Sequence, residues 1–176
     1  FRRVLFRSGN GAIALPDHGS SGDQDDLASD RSIIDTHVNN HSGLPLTRGD
    51  RERLLGQQAH VFWLTGLSGS GKSTLAALLE RELQRKGYKT MSLDGDDLRH
   101  GVNSDLGFSA ADRSENLRRA AHINRLFFEA GLVVINSFIT PFAEDRGRTR
   151  SLFPEGCFSE IYIKADLEVC EADRKS

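Results

Sequence analysis

The sequence predicts an α/β fold: three layers, with a mainly parallel sheet covered on both faces by helices. Three observations carry that prediction. Short runs rich in Val, Ile, Phe and Trp alternate along the chain with amphipathic segments of helical length. One run, "GLVVINSF", is apolar without alternation, the pattern of a strand buried on both faces. The runs end in polar or glycine-containing stretches, which in such sheets form the ligand-binding edge at the strand carboxyl ends. At 176 residues the chain suits one domain with a substantial core.

The elements follow in order. Between Arg7 and Val61 there is no Phe, Tyr or Trp, and "GNGAIALPDHGSSGDQDDLASD" is rich in Gly, Ser and Asp, so residues 9–46 are expected to be a loosely ordered extension. A short helix is expected over "LTRGDRERLLGQQ", with Thr47 as its cap and Asp50 closing a capping box. The first strand is "HVFWLTG". The helix after it, "STLAALLEREL", places Leu75, Leu78, Leu79 and Leu83 at helical spacing. "GYKTMSLDGD" reads as a second strand ending at acidic residues, followed by a polar, Gly-containing segment, "LRHGVNSDLGFS". Residues 111–130 are expected to be helical, with Leu117, Ala120, Ile123, Phe127 and Ala130 on one face. "GLVVINSF" is the third strand, "AEDRGRTRSLF" a helix, "FSEIYIKAD" the fourth strand, and "LEVCEA" begins another helix. Thr65, Asp94 and Phe138 fall at strand ends and so converge on one edge of the sheet.

That edge carries recognisable chemistry. "TGLSGSGKST" fits G-x-x-x-x-G-K-[ST], with Gly66, Gly71, Lys72 and Ser73 at the fixed positions and a strand and a helix on its flanks. Glycines let phosphate oxygens approach backbone N–H groups, and the helix N-terminus adds partial positive charge. Lys72 can reach β- and γ-phosphates, and the Ser73 hydroxyl can ligate Mg²⁺. The fold is therefore of the P-loop NTPase type. Asp94 and Asp96 follow the second strand. Facing the P-loop, one can help hold the Mg²⁺ shell and the other can accept a proton from an attacking hydroxyl; alone, a D-x-D is also an ordinary solvated turn. Phe108 lies in a polar loop among Arg99, Arg113, Arg118, Arg119 and Asn116. This combination suits an acceptor with a base and anionic groups, or else a solvated helix face with Phe108 tucked into the core.

Composition excludes other classes. The net charge of −2 argues against a general nucleic-acid-binding surface. No apolar run reaches the length of a membrane span. Cys157 and Cys170 show no C-x-x-C or metal-ligand spacing, which fits a reduced, cytoplasmic setting. No N-K-x-D motif is present to read a guanine base.

Together, "GLSGSGKST", "LDGDDLRHGVNSDLGFSAADRSENLRR", "GLVVINSFITPF" and "EIYIKADLEVCEA" resemble the adenylylsulfate kinase (APS kinase) family, in order and without large gaps. "GFSAADRSEN" is the most specific part. The resemblance implies transfer of the ATP γ-phosphoryl group to the 3′-hydroxyl of adenosine 5′-phosphosulfate, with ATP and Mg²⁺ at the site. It assigns the ATP phosphates to Gly66, Leu67, Ser68, Gly69, Ser70, Gly71, Lys72, Ser73 and Thr74, and Mg²⁺ to Ser73 and Asp94. It assigns catalysis to Lys72, Asp94, Asp96 and Thr140, and acceptor binding to Asp94, Asp96, Arg99, Phe108, Arg113, Asn116, Ile139 and Thr140. Thr140 stands where the family has Ser in F-I-S-P, a Ser that the resemblance assigns as a phosphorylated intermediate; Thr keeps the hydroxyl and adds a methyl. Asp97 replaces a common Asn. The resemblance also implies a homodimer for the intact enzyme and ATP sulfurylase as pathway neighbour. The alternatives are another P-loop kinase of a small hydroxylated metabolite, or a non-catalytic nucleotide-binding partner of ATP sulfurylase.

The family continues beyond "LEVCEA" into a basic lid, which this sequence does not show. "FRRVLFRS" and "DRKS" read like translations of a sequencing adaptor and its reverse complement. Residues 1–8 and 173–176 are accordingly expected to be adaptor-derived, residues 47–172 to be the kinase domain, incomplete at its C-terminus, and the fragment to be poorly active.

Overall fold

The structure, a computed structural model, describes residues 3–7, 46–166, 168 and 170. In chain order its elements are β1 (Arg3–Arg7), α1 (Arg48–Leu55), β2 (His60–Thr65), α2 (Lys72–Arg85), β3 (Thr90–Asp94), α3 (Gly95–His100), α4 (Ala110–Glu129), β4 (Val133–Ser137), α5 (Ala143–Arg150) and β5 (Phe158–Lys164). Of the extension expected over residues 9–46, all but Leu46 lies outside the described residues, as do residues 173–176.

The sheet order is β1-β5-β2-β4-β3. β5, β2, β4 and β3 run parallel, and β1, to which the sequence reading assigned no element, pairs antiparallel with β5. The α/β prediction with a mainly parallel sheet therefore holds. β4 is buried along its whole length: its apolar Val133–Ile135 run is covered on both faces, and the polar Asn136 and Ser137 at its end are buried with it. Its neighbours alternate the two faces. Val61 and Trp63 of β2 and Val134 of β4 meet Leu117, Ala120 and Phe128 of α4. Phe62 and Leu64 of β2 and Val133 and Ile135 of β4 meet Ala76 and Leu83 of α2. Trp63 and Phe128 are among the largest fully buried side chains, each contributing about 2–3 kcal/mol by burial.

Two helix faces differ in detail from the periodic reading. On α2, Ala76 is buried and Leu78 is exposed, so the inward stripe runs through Ala76 and Leu83 with Leu75 and Leu79 at its margin. On α4, Phe128 is the fully buried ring, and Phe127 is only partly covered. Phe128 packs edge-on to Phe153 and lies under the Arg48 guanidinium of α1; eleven residues after Leu117 it returns to the same side of the helix, where Phe127 does not.

α1 forms as expected. Asp50 N–H donates to Thr47 Oγ1 at 3.2 Å and Thr47 N–H donates to Asp50 Oδ2 at 2.8 Å, so both halves of the capping box are present. A second helix start was not anticipated. The polar segment after β3 opens directly into α3, capped by Asp94, whose Oδ1 accepts the Asp96 N–H at 2.9 Å. Asp96 and Arg99 thus stand on a helix rather than in an irregular loop.

Candidate active site

The parallel strands set the site. In register, Asp94 of β3 lies opposite Ser137 of β4, and Ser137 lies opposite Leu64 of β2, one residue before Thr65 leads into the P-loop. The loop turns tightly because glycines stand where a side chain does not fit. Gly66 has φ 150°, and a Cβ there would come within 2.6 Å of the Ile163 carbonyl oxygen. Gly69 has φ 76°, and a Cβ there would come within 2.5 Å of the Cys170 carbonyl oxygen. Gly71, also left-handed at φ 84°, starts α2 without a side-chain cap. The first N–H groups of that helix have no intrahelical acceptor, so the loop presents a ring of donors to an anion.

Lys72 is buried and its Nζ donates to the Leu67 carbonyl at 2.5 Å, crossing the loop. Burial lowers its pKa, against the opposing pull of Asp94, Cys170 and Asp96. Asp94 sits behind it. Its Oδ2 accepts the Ser73 hydroxyl at 2.7 Å and the Ser137 hydroxyl at 2.5 Å. Burial alone raises the Asp94 pKa, but hydrogen bonds from Ser137, Ser73 and the Asp96 backbone, with the charge of Lys72, together hold it below the usual carboxylate value. Asp94 is therefore a fixed, ionised acceptor. Asp96, on the first turn of α3, is exposed.

The chain's sequence pattern over residues 58–176 matches the family described as adenylylsulphate kinase. The chain belongs to that family. It is 55% identical over 127 residues to the adenylyl-sulfate kinase of Geotalea daltonii, covering 72% of this chain and 63% of that protein. It is 50% identical over 126 residues to a probable adenylyl-sulfate kinase of Bacillus subtilis, covering 72% and 63%. The chain thus spans less than two thirds of these relatives' own length. Among solved structures it is similar to the Mycobacterium tuberculosis APS kinase in complex with AMPPNP and APS, with a TM-score of 0.62 and 46% identity over 65% of this chain and 68% of that one.

The residues that the adenylylsulfate kinase resemblance assigned to an acceptor fall into two groups. Arg99, Phe108 and Arg113 are assembled around one loop. The Phe108 ring is 72% exposed, which removes the core alternative, and the Arg99 guanidinium lies 4.6 Å from its centroid. Arg99 also donates to the Gly107 carbonyl at 2.9 Å, and Arg113 donates to the Phe108 carbonyl at 2.9 Å. The ring is held as an open platform. Arg118 and Arg119 are engaged elsewhere: both pair with Glu115, and Arg119 also grips Asp105. Asn116 shares the helix with Arg113 but is buried, its Oδ1 accepting from Asn103 Nδ2 at 2.9 Å.

Ile139 and Thr140 follow β4 and stand beside the start of the P-loop. With Gly66, Leu67, Arg146 and Tyr162 they line a cavity of about 880 Å³, whose lining does not include Asp94, Asp96 or Phe108. Ile139 is exposed, whereas Thr140 is 3% exposed and its Oγ1 accepts the Trp63 indole N–H at 3.0 Å. Arg146 donates to the Thr140 carbonyl at 2.9 Å and pairs with Glu160. Sequence reasoning missed Ser137, Asn103 and Trp63 as parts of this edge. Only Ser137 left a signal, a hydroxyl at the end of a strand that opens on the apolar run Val133–Ile135. Among the described residues no group of His, Cys, Asp and Glu is arranged to hold a metal by itself, and no helix is long and apolar enough to cross a membrane.

Proposed function

We propose that this chain is the nucleotide-binding part of an enzyme that transfers the γ-phosphoryl group of ATP to the 3′-hydroxyl of adenosine 5′-phosphosulfate. The observation that carries this reading is one strand edge that joins a P-loop, an ionised Asp94 fixed by two hydroxyls, an open Asp96 and an exposed Phe108 backed by Arg99. The P-loop N–H groups and Lys72 bind the donor phosphates. Asp96 is placed to accept the proton of the attacking hydroxyl, and Phe108 offers a stacking face to the acceptor's adenine. Direct in-line transfer needs positioning and charge neutralisation rather than a protein nucleophile, which agrees with a buried, engaged Thr140 hydroxyl.

The donor set also suits Mg²⁺, a hard cation that prefers oxygen ligands. Ser73 gives its hydroxyl hydrogen to Asp94, which leaves its lone pairs for a cation, and Asp94 supplies the negative charge behind it. When bound, Mg²⁺ supplies charge neutralisation on the phosphates. The same reading takes residues 47–172 as the kinase domain, a homodimer as the intact assembly, ATP sulfurylase as the supplier of the acceptor, and the cytoplasm as the compartment.

The test is calorimetric titration of adenosine 5′-phosphosulfate and of shikimate into the chain loaded with Mg²⁺ and a non-hydrolysable ATP analogue, alongside chromatography for the 3′-phosphorylated product. Binding of adenosine 5′-phosphosulfate alone is expected. Binding of shikimate in its place would instead support a different small-molecule kinase.

A further inference from the structure

We infer that Ser137 is a positioning residue of the donor site, the strut that aims Asp94 at the Ser73 hydroxyl; this rests on the proposal that the site takes MgATP. Four observations carry it. First, β4 lies between β3 and β2, and Ser137 is the direct register partner of both Asp94 and Leu64, so its side chain stands between the acidic strand end and the start of the P-loop. Second, parity places Ser137 on the same sheet face as Val133 and Ile135, which pack against α2, the helix that carries Ser73 on its first turn. An apolar residue continues that row most simply, yet a hydroxyl stands there and is buried. Third, both hydroxyls converge on one oxygen: Ser137 Oγ and Ser73 Oγ reach Asp94 Oδ2 at 2.5 Å and 2.7 Å, while the other carboxylate oxygen takes the Asp96 N–H at 2.9 Å. An ionised carboxylate only accepts, so both serines donate and Asp94 is held from three directions. Fourth, the two serines differ in exposure. Ser73 is exposed and Ser137 is buried, so only Ser73 can turn its lone pairs to a ligand while its hydrogen stays committed to Asp94.

The division of labour follows. Ser73 is the hydroxyl that meets the cation, Asp94 orients that hydroxyl, and Ser137 orients Asp94. Outer groups of this kind tune metal affinity by fixing the ligands they touch. Without Ser137, Asp94 is held from two directions instead of three, by the Ser73 hydroxyl and the Asp96 N–H, so the Ser73 lone pairs are less firmly aimed.

The experiment is a fluorescence titration of the full chain with an N-methylanthraniloyl-labelled ATP, with and without saturating Mg²⁺. For Ser137→Ala, affinity without Mg²⁺ is expected to stay within about twofold of the unsubstituted chain, because the P-loop is untouched. The tightening produced by Mg²⁺ is expected to shrink about tenfold, the effect of losing one hydrogen bond to a charged group. Ser137→Thr, which keeps the hydroxyl, is expected to restore it. Should Ser137→Ala melt early, Ser137→Cys, similar in shape with a weak donor, carries the same expectation of lost tightening. Equal Mg²⁺ tightening in Ser137→Ala and the unsubstituted chain overturns the inference alone. An equal loss with and without Mg²⁺ also overturns it, because it shows a general packing role. Failure of the unsubstituted chain to bind the labelled ATP overturns the donor-site proposal and the inference with it.

Discussion

Replacing Thr140 by Val tests how the loop after β4 is anchored. The two side chains have nearly the same shape, so the change removes one acceptor and little else. In the structure that acceptor takes the indole N–H of Trp63 at 3.0 Å, between side chains that are 1% and 3% exposed. The indole then has a buried donor without a partner, which costs about 1–3 kcal/mol. For a domain of this size each kcal/mol lowers Tm by about 2–4 °C. Trp63→Phe removes the donor instead, and in that background Thr140→Val leaves no orphan. The two changes are therefore expected to couple by about 1–2 kcal/mol, the double variant being more stable than the sum of the singles implies. Urea denaturation followed by far-ultraviolet circular dichroism is the suitable assay, because Trp63 is the chain's one tryptophan and Trp63→Phe abolishes its fluorescence. The same geometry predicts no phosphothreonine at Thr140 after incubation with MgATP, read by mass spectrometry. A Thr140→Val cost below about 0.3 kcal/mol, or an equal cost in the Trp63→Phe background, would refute the anchoring argument.

Three further outcomes follow from the same geometry. Phe108→Ala removes an exposed platform worth about 1–3 kcal/mol to a stacked base, so KM for adenosine 5′-phosphosulfate is expected to rise about 5- to 150-fold with KM for ATP unchanged, as steady-state kinetics can show. Asp96→Asn is expected to lower kcat at least about 100-fold while calorimetry finds ATP affinity nearly unaltered, because the residue is exposed and only its backbone N–H supports Asp94. Burial lowers the pKa of His60 from 6.5 to about 4, so the folded state keeps it neutral where the unfolded chain takes a proton. Its contribution to stability is therefore complete above about pH 6.5 and lost as pH falls towards 4. It amounts to about 3 kcal/mol at 1.36 kcal/mol per pH unit, and His60→Gln should flatten the acid slope of Tm against pH.

The P-loop was legible because its chemistry is local. Its glycines, Lys72 and Ser73 act within one turn, and the strand and helix beside it announce themselves by periodicity. α3 was not legible, because six residues beginning with Gly and two Asp have no apolar stripe, and the helix starts on the Asp94 cap instead. The fate of Phe108 was open for a related reason: a ring in a polar loop is buried or exposed according to what folds over it, and here it is Arg99 from α3, an element the local pattern did not show. The resemblance assigned Asn116 to the acceptor; its burial and the hydrogen bond its Oδ1 accepts from Asn103 were not legible, because Asn103 lies in a loop that spacing along α4 cannot bring to it. Ser137 shows the general limit. Nothing within several residues of it mentions Asp94 or Ser73, and only the strand order β3-β4-β2 makes the three neighbours. Parallel crossover connections separate in sequence what the sheet sets side by side, so motifs name the groups that touch phosphate while topology selects the groups that aim them. A hydroxyl on the inward row of a buried strand, at its carboxyl end, is therefore a stronger functional signal than its apolar surroundings suggest, because that is where a neighbouring strand delivers its acid.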